Sequence, residues 1–548
     1  MKTNKLIAAG AMALSMAMTP VASLINAMPI AAANVSIEAS GDGQLLKDHT
    51  FTAYQVFSGT VSTDNTVTDI NWGEGINSTA FLTAIKANQA FETDGENIFK
   101  DCTTATDVAQ VLKNYNGSSD VAITFARLAA DNVMGNGITI PANGTQLKQG
   151  YYVIVDTTEK NPDVVNPALL EVVGGAEDKV VVELKNDKPT VTKKVKEDDH
   201  DVTNDSPYGE KYNDVADYNI GETIPFSFYS KVPTNISQYE TYKYVFKDTM
   251  SKGLTLDTTS IAVVIGGTTL DANSYTVSAV TTNDDETQSF SITITDLKAI
   301  SSATAGADIR VNFNASLNSN AVIGLEGNPN TVKLEYSNNP SDSNSTKETP
   351  EDTVIVFTYE LDVNKVDNAN DQIKLSDVEF ELWDTSDKDN HRVAVVKDGK
   401  FVKWADSGES ISEDEGTKVL KTGTNGTFAI AGLDAGTYYL KETKTVDGYV
   451  LPENPFEITI TSTTKNDNQW DGTSPSTALT ALNVSVDKGT AVNGDTSTGA
   501  VTATIKNSNR ATLPETGGMG TTLIYGAGAL MVAGAAVVYV TNKRTRKD

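Results

Sequence analysis

The chain has 548 residues, a formal net charge of −29 and a sequence pI near 4.5, which argues against nucleic acid as a partner and favours solubility outside the cell. Its single cysteine, Cys102, excludes an intrachain disulfide. Three histidines far apart in sequence, His49, His200 and His391, suggest neither a metal cluster nor a Cys-His nucleophile, so no metal and no cofactor is expected.

Residues 1–33 carry Lys2 and Lys5, then an uncharged run over 6–18, then small residues ending in Ala31-Ala32-Ala33. That is the layout of a secretory signal peptide, which is set aside from the fold. The rest has room for about three domains of ~150 residues each. Short alternating runs such as Phe290-Ser291-Ile292-Thr293-Ile294 and Phe456-Glu457-Ile458-Thr459-Ile460 recur between clusters of Gly, Asn and Asp. The expected fold is therefore mainly β, with tandem immunoglobulin-like β-sandwich domains. Turn-rich stretches at Asn186-Asp187-Lys188-Pro189 and over 337–352 divide the chain into 34–187, 188–350 and 351–511.

The first of these domains has room for short helices over 78–88 and 106–115. Its Gly150-Tyr151-Tyr152-Val153-Ile154-Val155-Asp156 lines up with Gly436-Thr437-Tyr438-Tyr439-Leu440-Lys441-Glu442 of the third domain, so Asp156 stands where Glu442 stands. The opening strand Asn34-Val35-Ser36-Ile37-Glu38-Ala39 has no lysine. The domain closes on Val182-Glu183-Leu184-Lys185-Asn186.

Side chains alternate along a strand, and in the second domain this period puts Lys193 on one face with Val191 and Val195. Asp248 shares a face with Tyr244 and Phe246, and Asn330 with Val332 and Leu334. Lys194, Asn338 and Asn339 are the alternatives if the register differs. The third domain repeats the pattern: Lys365 lies with Leu361 and Val363, Glu442 with Tyr438 and Leu440, and Asn507 with Ala503 and Ile505. A lone buried ammonium is costly, so polar groups at core positions call for one another. Asp467-Asn468-Gln469-Trp470-Asp471-Gly472 begins like a calcium loop but has Ala478 where the closing glutamate belongs.

At the C-terminus Leu513-Pro514-Glu515-Thr516-Gly517 precedes 21 uncharged residues, 521–541, followed by Lys543, Arg544, Arg546 and Lys547. The uncharged stretch is long enough for a membrane-spanning helix with a cytoplasmic basic stop. The three-part order over 512–548 resembles the sorting signal of sortase substrates. That resemblance implies cleavage between Thr516 and Gly517, with Thr516 held as a thioester until an amine resolves it and the membrane contact transient.

The third domain resembles the collagen-adhesin B-type domains that form intramolecular isopeptide bonds, with YLKETKTVDGYVLP (439–452) similar to their E-box. The resemblance implies that Lys365 attacks the side-chain amide of Asn507 while Glu442 acts as acid and proton shuttle. The second domain, with YVFKDTMSKGL and NTVKLEYSNNP, is similar to the isopeptide-forming fimbrial D2 domain of backbone pilins. It implies Lys193 as nucleophile, Asp248 as acid and Asn330 as acceptor. No such bond is expected in the first domain. The position of Lys185 matches the pilin motif, usually a Tyr-Pro-Lys-Asn core, with Glu183-Leu184 in place of Tyr-Pro. It implies that Lys185 resolves the Thr516 thioester of the next subunit.

Together these features resemble the SpaA-type backbone pilins of sortase-built pili on Gram-positive cell walls. The implied partners are identical subunits, pilus-class and housekeeping sortases, peptidoglycan, ancillary pilins and the host surface. The chain would then be a sortase substrate and not a turnover enzyme. The rival class is an ancillary pilin or a monomeric wall-anchored adhesin that binds a host ligand. A secreted hydrolase is a weaker third reading, because no nucleophile-base spacing is evident.

Overall fold

The computed structural model describes residues 49–158 apart from 63–65, 118 and 142, then 167–173, 179–184, 188–198, 208, 211–510 apart from 341, 471 and 473, the helix 520–544, and two short strands at 5–8 and 32–39. It is mainly β, as the alternating runs predict. The chain divides into two compact units, Met1–Thr358 with Thr463–Thr480, and Tyr359–Ser462 with Ala481–Asp548.

In the first part of the first unit the strand Phe51–Val61 pairs along one edge with Gly150–Asp156 and along the other with Val67–Trp72 and Ile138–Ile140. Ala168–Val172 extends the sheet beyond Gly150–Asp156. Residues of both parities along Phe51–Val61 are buried, and helices pack against this sheet. Ser78–Ala87 is capped by the Asn77 side chain on the Ala80 N–H, and Ala105–Leu112 opens with a Thr104/Asp107 capping box. A third helix, Asp120–Asp131, was not expected from the sequence. Ser119 caps it, and Ala122, Phe125, Ala126 and Ala129 form its buried stripe. Phe125 meets Phe57, Phe81 and Phe99 with ring centroids 5.0–6.3 Å apart. Cys102 is a buried member of this core and packs as a small apolar residue.

The remainder of the first unit stacks two sheets. One runs Tyr212–Asn213, Thr192–Lys196, Thr223–Lys231, Asp308–Leu317, Leu254–Ile265, Thr268–Thr269. The other runs Val215–Asp217, Asp352–Phe357, Asn328–Ser337, Tyr244–Met250, Gln288–Ile294, Thr276–Val277. Strict in/out alternation along Asp308–Leu317 and Asn328–Ser337 turns one face of each sheet inward. The faces meet through Phe228 on Phe246 and Phe313 on Phe290, each pair 5.6 Å apart. The strand Asp352–Phe357 belongs to this sandwich, because it pairs with Asn328–Ser337. The loop carrying Asn468 also belongs to this unit, where the Asp214 N–H donates to the Asn468 carbonyl at 3.0 Å.

The second unit is one continuous hydrogen-bonded sheet that folds over on itself. Its order is Val492–Asn493, Leu479–Val486, Phe456–Thr464, Gly436–Lys444, Glu379–Trp383, Arg392–Lys397, Lys400–Asp406, Thr427–Leu433, Tyr359–Asp367, Ala500–Asn507. The first strand of the unit, Tyr359–Asp367, lies parallel to its last, Ala500–Asn507, with Lys365 opposite Ile505 and Asp367 opposite Asn507.

In the first unit Asp156, at the position equivalent to Glu442, has found a different partner. His49 Nδ1 lies 2.7 Å from Asp156 Oδ2, with the two side chains 1 % and 4 % exposed, while Thr158 N and Oγ1 donate to Asp156 Oδ1 at 3.1 and 2.6 Å. Removing one member of a buried pair strands the other, at a cost of about 3 kcal/mol. His49→Ala should therefore speed amide hydrogen exchange in the strand Gly150–Asp156 by roughly 100-fold. Unchanged exchange would mean that the pair contributes no net stability.

Candidate functional site

In the second unit Lys365 points inward because its strand alternates buried and half-buried positions from Tyr359 to Lys365. Asn507 lies on the same inner face of the parallel neighbour, two residues beyond Ile505, a diagonal that a lysine side chain spans. Glu442 comes from Gly436–Lys444, which is not adjacent to either strand in the sheet order and reaches the pair across the fold. All three residues are 0–2 % exposed. Lys365 Nζ is 2.5 Å from Asn507 Oδ1 and 2.8 Å from Glu442 Oε2. Asn507 Nδ2 donates to Glu442 Oε1 at 2.6 Å and to Thr445 Oγ1 at 2.9 Å. The rings of Phe380 and Phe456 stand 5.6 and 5.5 Å from the amine. Burial among them pulls the Lys365 pKa down, against the opposing pull of Glu442.

The sandwich of the first unit holds a second buried lysine. Lys193, and not Lys194, faces inward at 0 % exposure; Lys194 pairs with Asp214 nearer the surface. Lys193 Nζ donates to Asp248 Oδ2 and lies 5.0–5.7 Å from the rings of Phe226, Phe228 and Phe313. Its backbone N–H donates to the carboxylate of Asp352 at 2.5 Å. Burial lowers the lysine from its ordinary 10.5 to about 8 and raises Asp248 from 3.8 to about 6. The gap between amine and acid thus shrinks from nearly seven to about two. The share of pairs with both groups neutral rises as that gap narrows.

Asn330 is 0 % exposed on the strand beside Asp248, with Val332 opposite Asp248 and Asn330 one step along the same face. Among the described residues neither atom of its carboxamide has a hydrogen-bond partner, and Asp248 Oδ1 has none. Buried polar atoms in that condition are destabilising and call for an explanation. Asn338 instead accepts from Ser345 Oγ at 2.8 Å, and the Asn339 carbonyl accepts from the Asp342 N–H in the loop beyond the strand.

Residue alternation located the amine, acid and amide of each cluster but missed their surroundings. The phenyl rings that dry each lysine come from strands distant in sequence. Thr445 was missed although it lies inside the quoted YLKETKTVDGYVLP stretch. His49 was missed because it lies just before the strand Phe51–Val61 and meets Asp156 only through long-range pairing.

Lys185 and the motif Leu513 to Gly517, Thr516 included, lie outside the described residues, as does most of the expected leader; its described parts are the strand Lys5–Ala8, parallel to Lys179–Leu184, and the start of the strand Ala32–Ala39. A helix, Gly520–Arg544, does form after the motif. The expected membrane span over 521–541 is nevertheless not supported, because no helix among the described residues is long and apolar enough to cross a membrane. The side chains described in that helix start at Tyr525, and both ends of the 21-residue stretch fall outside them.

Residues 220–340 match the Gram-positive pilin backbone subunit 2, Cna-B-like domain; 359–474 match the SpaA prealbumin-like fold domain; and 505–547 match the LPXTG cell wall anchor motif. The chain is 23% identical over 421 residues to the trypsin-resistant surface T6 protein of Streptococcus pyogenes serotype M6, covering 66% of this chain and 70% of that protein. Among solved structures, the T6 backbone pilin of serotype M6 Streptococcus pyogenes aligns at 18% identity and a TM-score of 0.48, covering 89% of this chain and 100% of that one. The full-length major pilin SpaD of Corynebacterium diphtheriae aligns at 18% and 0.45, covering 89% and 99%. A pilin-backbone domain, a SpaA domain and a wall-anchor motif thus follow one another along one chain, the make-up of a backbone pilin displayed on a Gram-positive cell wall.

Proposed function

We propose that this pilin is a covalent polymer subunit, stiffened within each copy by two Lys–Asn isopeptide bonds, Lys365–Asn507 and Lys193–Asn330. The reading is carried by one observation, the contact of the Lys365 amine with both Glu442 and the Asn507 carboxamide in a dry, phenyl-lined core. In the proposed reaction neutral Nζ of Lys365 attacks Cγ of Asn507. The Nζ–Cγ bond forms, the Cγ–Nδ2 bond breaks, Glu442 passes the proton lost by Nζ to the departing nitrogen, and ammonia leaves. Lys193, Asp248 and Asn330 play the same three parts in the other sandwich, where the bond would give the unpartnered Asn330 carboxamide and the Asp248 carboxyl a use for their buried polar atoms.

Between subunits, a sortase would hold the Thr516 carbonyl as a thioester and the Lys185 amine of the next copy would resolve it, releasing the enzyme's thiol. Attack by a cell-wall amine instead would end the polymer on the peptidoglycan. Housekeeping and pilus-class sortases are the enzymes this scheme requires.

Three outcomes are expected. The intact mass of residues 34–516 should fall short of the sequence mass by two ammonia, with one regained in Glu442→Ala and one in Asp248→Ala; full sequence mass in the unmodified chain would refute both bonds. When chain recovered in urea from inclusion bodies, still at full sequence mass and so without either bond, is diluted into buffers of pH 5 to 10, the Lys193–Asn330 bond should form at a rate that is flat between about pH 6 and 8. Below this window a second proton holds the amine as ammonium, and above it Asp248 lacks the proton that activates the carbonyl, so the rate should drop about tenfold per pH unit on each side. A rate still climbing at pH 10 would rule out the acid's role. Finally, source cells carrying Lys185→Ala should lose the high-mass ladder from wall extracts while keeping monomer on the wall; a ladder that persists would remove Lys185 from the scheme.

A further inference from the structure

The Asn507 carboxamide is hydrogen-bonded on every side, and one of its partners has no part in the reaction as written above. Its oxygen receives Lys365 Nζ, one nitrogen hydrogen goes to Glu442 Oε1, and the second goes to Thr445 Oγ1 at 2.9 Å. We propose that Thr445 is a positioning residue for the Lys365–Asn507 reaction, holding the amide nitrogen against the acid that must protonate it. The inference rests on the isopeptide reading of this cluster.

Asparagine's terminal torsion is broad and roughly two-fold, so a carboxamide without fixed partners exchanges oxygen and nitrogen by rotating half a turn. In the rotated form an N–H would face the lysine, and the leaving nitrogen would stand away from Glu442. Only an arrangement in which both nitrogen hydrogens find acceptors keeps the oxygen beside Lys365 and the nitrogen beside Glu442, and Thr445 is the second acceptor. Its hydroxyl sits three residues after Glu442, in the loop that follows the strand Gly436–Lys444.

That loop is itself clamped to the end of the last strand. The Tyr449 hydroxyl and Asn509 Nδ2 both donate to Asp367 Oδ2 at 2.9 Å, the Val450 N–H donates to the Ser508 carbonyl at 3.0 Å, and the Asn368 N–H donates to the Asn507 carbonyl at 2.8 Å. Thr445 and Asn507 are therefore fixed relative to one another before any bond forms. Asn330 offers the contrast within the same chain, since its carboxamide has no hydrogen-bond partner among the described residues.

The test follows both bonds in residues 34–516 recovered in urea from inclusion bodies at full sequence mass, diluted into buffer, quenched with acid at intervals and mapped by peptide mass. Thr445→Val, which keeps the shape and removes the hydroxyl, should slow Lys365–Asn507 formation roughly tenfold, the effect of one net hydrogen bond. Thr445→Ser should restore the rate to within about threefold, and the Lys193–Asn330 bond in the same molecules should keep its rate in both variants. Formation at the unmodified rate in Thr445→Val would overturn the proposal, and so would equal slowing in the Val and Ser variants, which would assign Thr445 to packing. If the unmodified chain forms no Lys365–Asn507 bond, the isopeptide reading itself fails and this proposal with it. Should Thr445→Val not refold, Thr445→Ala, which only removes atoms at this half-buried position, is read by the same criteria.

Discussion

The constraint on which the two lysine-bearing sandwiches turn is the burial of an ammonium group beside a carboxyl with water excluded. An isolated charge in such a place is strongly unfavourable, and a pair is tolerated only with close geometry and satisfied remaining hydrogen bonds. Each cluster meets that demand by setting amine and acid in direct contact inside a cage of phenyl rings, whose faces attract a cation while excluding solvent. The same dryness brings Lys193 down and Asp248 up, which favours the neutral form of each. A salt bridge that is weak evidence for stability is thus good evidence for chemistry.

The placement of these clusters bears on what a surface fibre has to withstand. Lys365 and Asn507 stand on the first and last strands of their unit, which lie side by side in parallel. Pulling such a unit by its two ends shears these strands past one another, and the proposed covalent tie between them would remove that route to unfolding. In the other sandwich Lys193 belongs to one sheet, while Asp248 and Asn330 belong to the other. A bond there would staple the layers together. The chain's single cysteine leaves no disulfide to do either task.

The helix-bearing part of the first unit takes the alternative course. Its Asp156 occupies the strand position equivalent to Glu442, yet the group opposite is an imidazole, held by a stacked Phe51. A histidine there satisfies the buried carboxyl without supplying a primary amine, so stability in this region comes from packing around Phe125 and from hydrogen bonds.

Much of this was legible in the sequence, because strand alternation is local. Period two alone put Lys193, Asp248, Asn330, Lys365, Glu442 and Asn507 among apolar neighbours, and a polar residue at a core position is conspicuous wherever the strand lies. Composition likewise fixed the acidic, disulfide-free, mainly β character. Local pattern could not tell which strands become neighbours. Only the tertiary structure decided that Phe226, Phe228 and Phe313 wall off Lys193, that His49 closes on Asp156 across more than a hundred residues, and that Thr445 holds the second hydrogen of Asn507. It also supplied the helix Asp120–Asp131, whose stripe is mostly alanine and gains its meaning from the rings it covers. Inward or outward is a property of a few consecutive residues; contact between distant strands is set by how the sheets fold over one another.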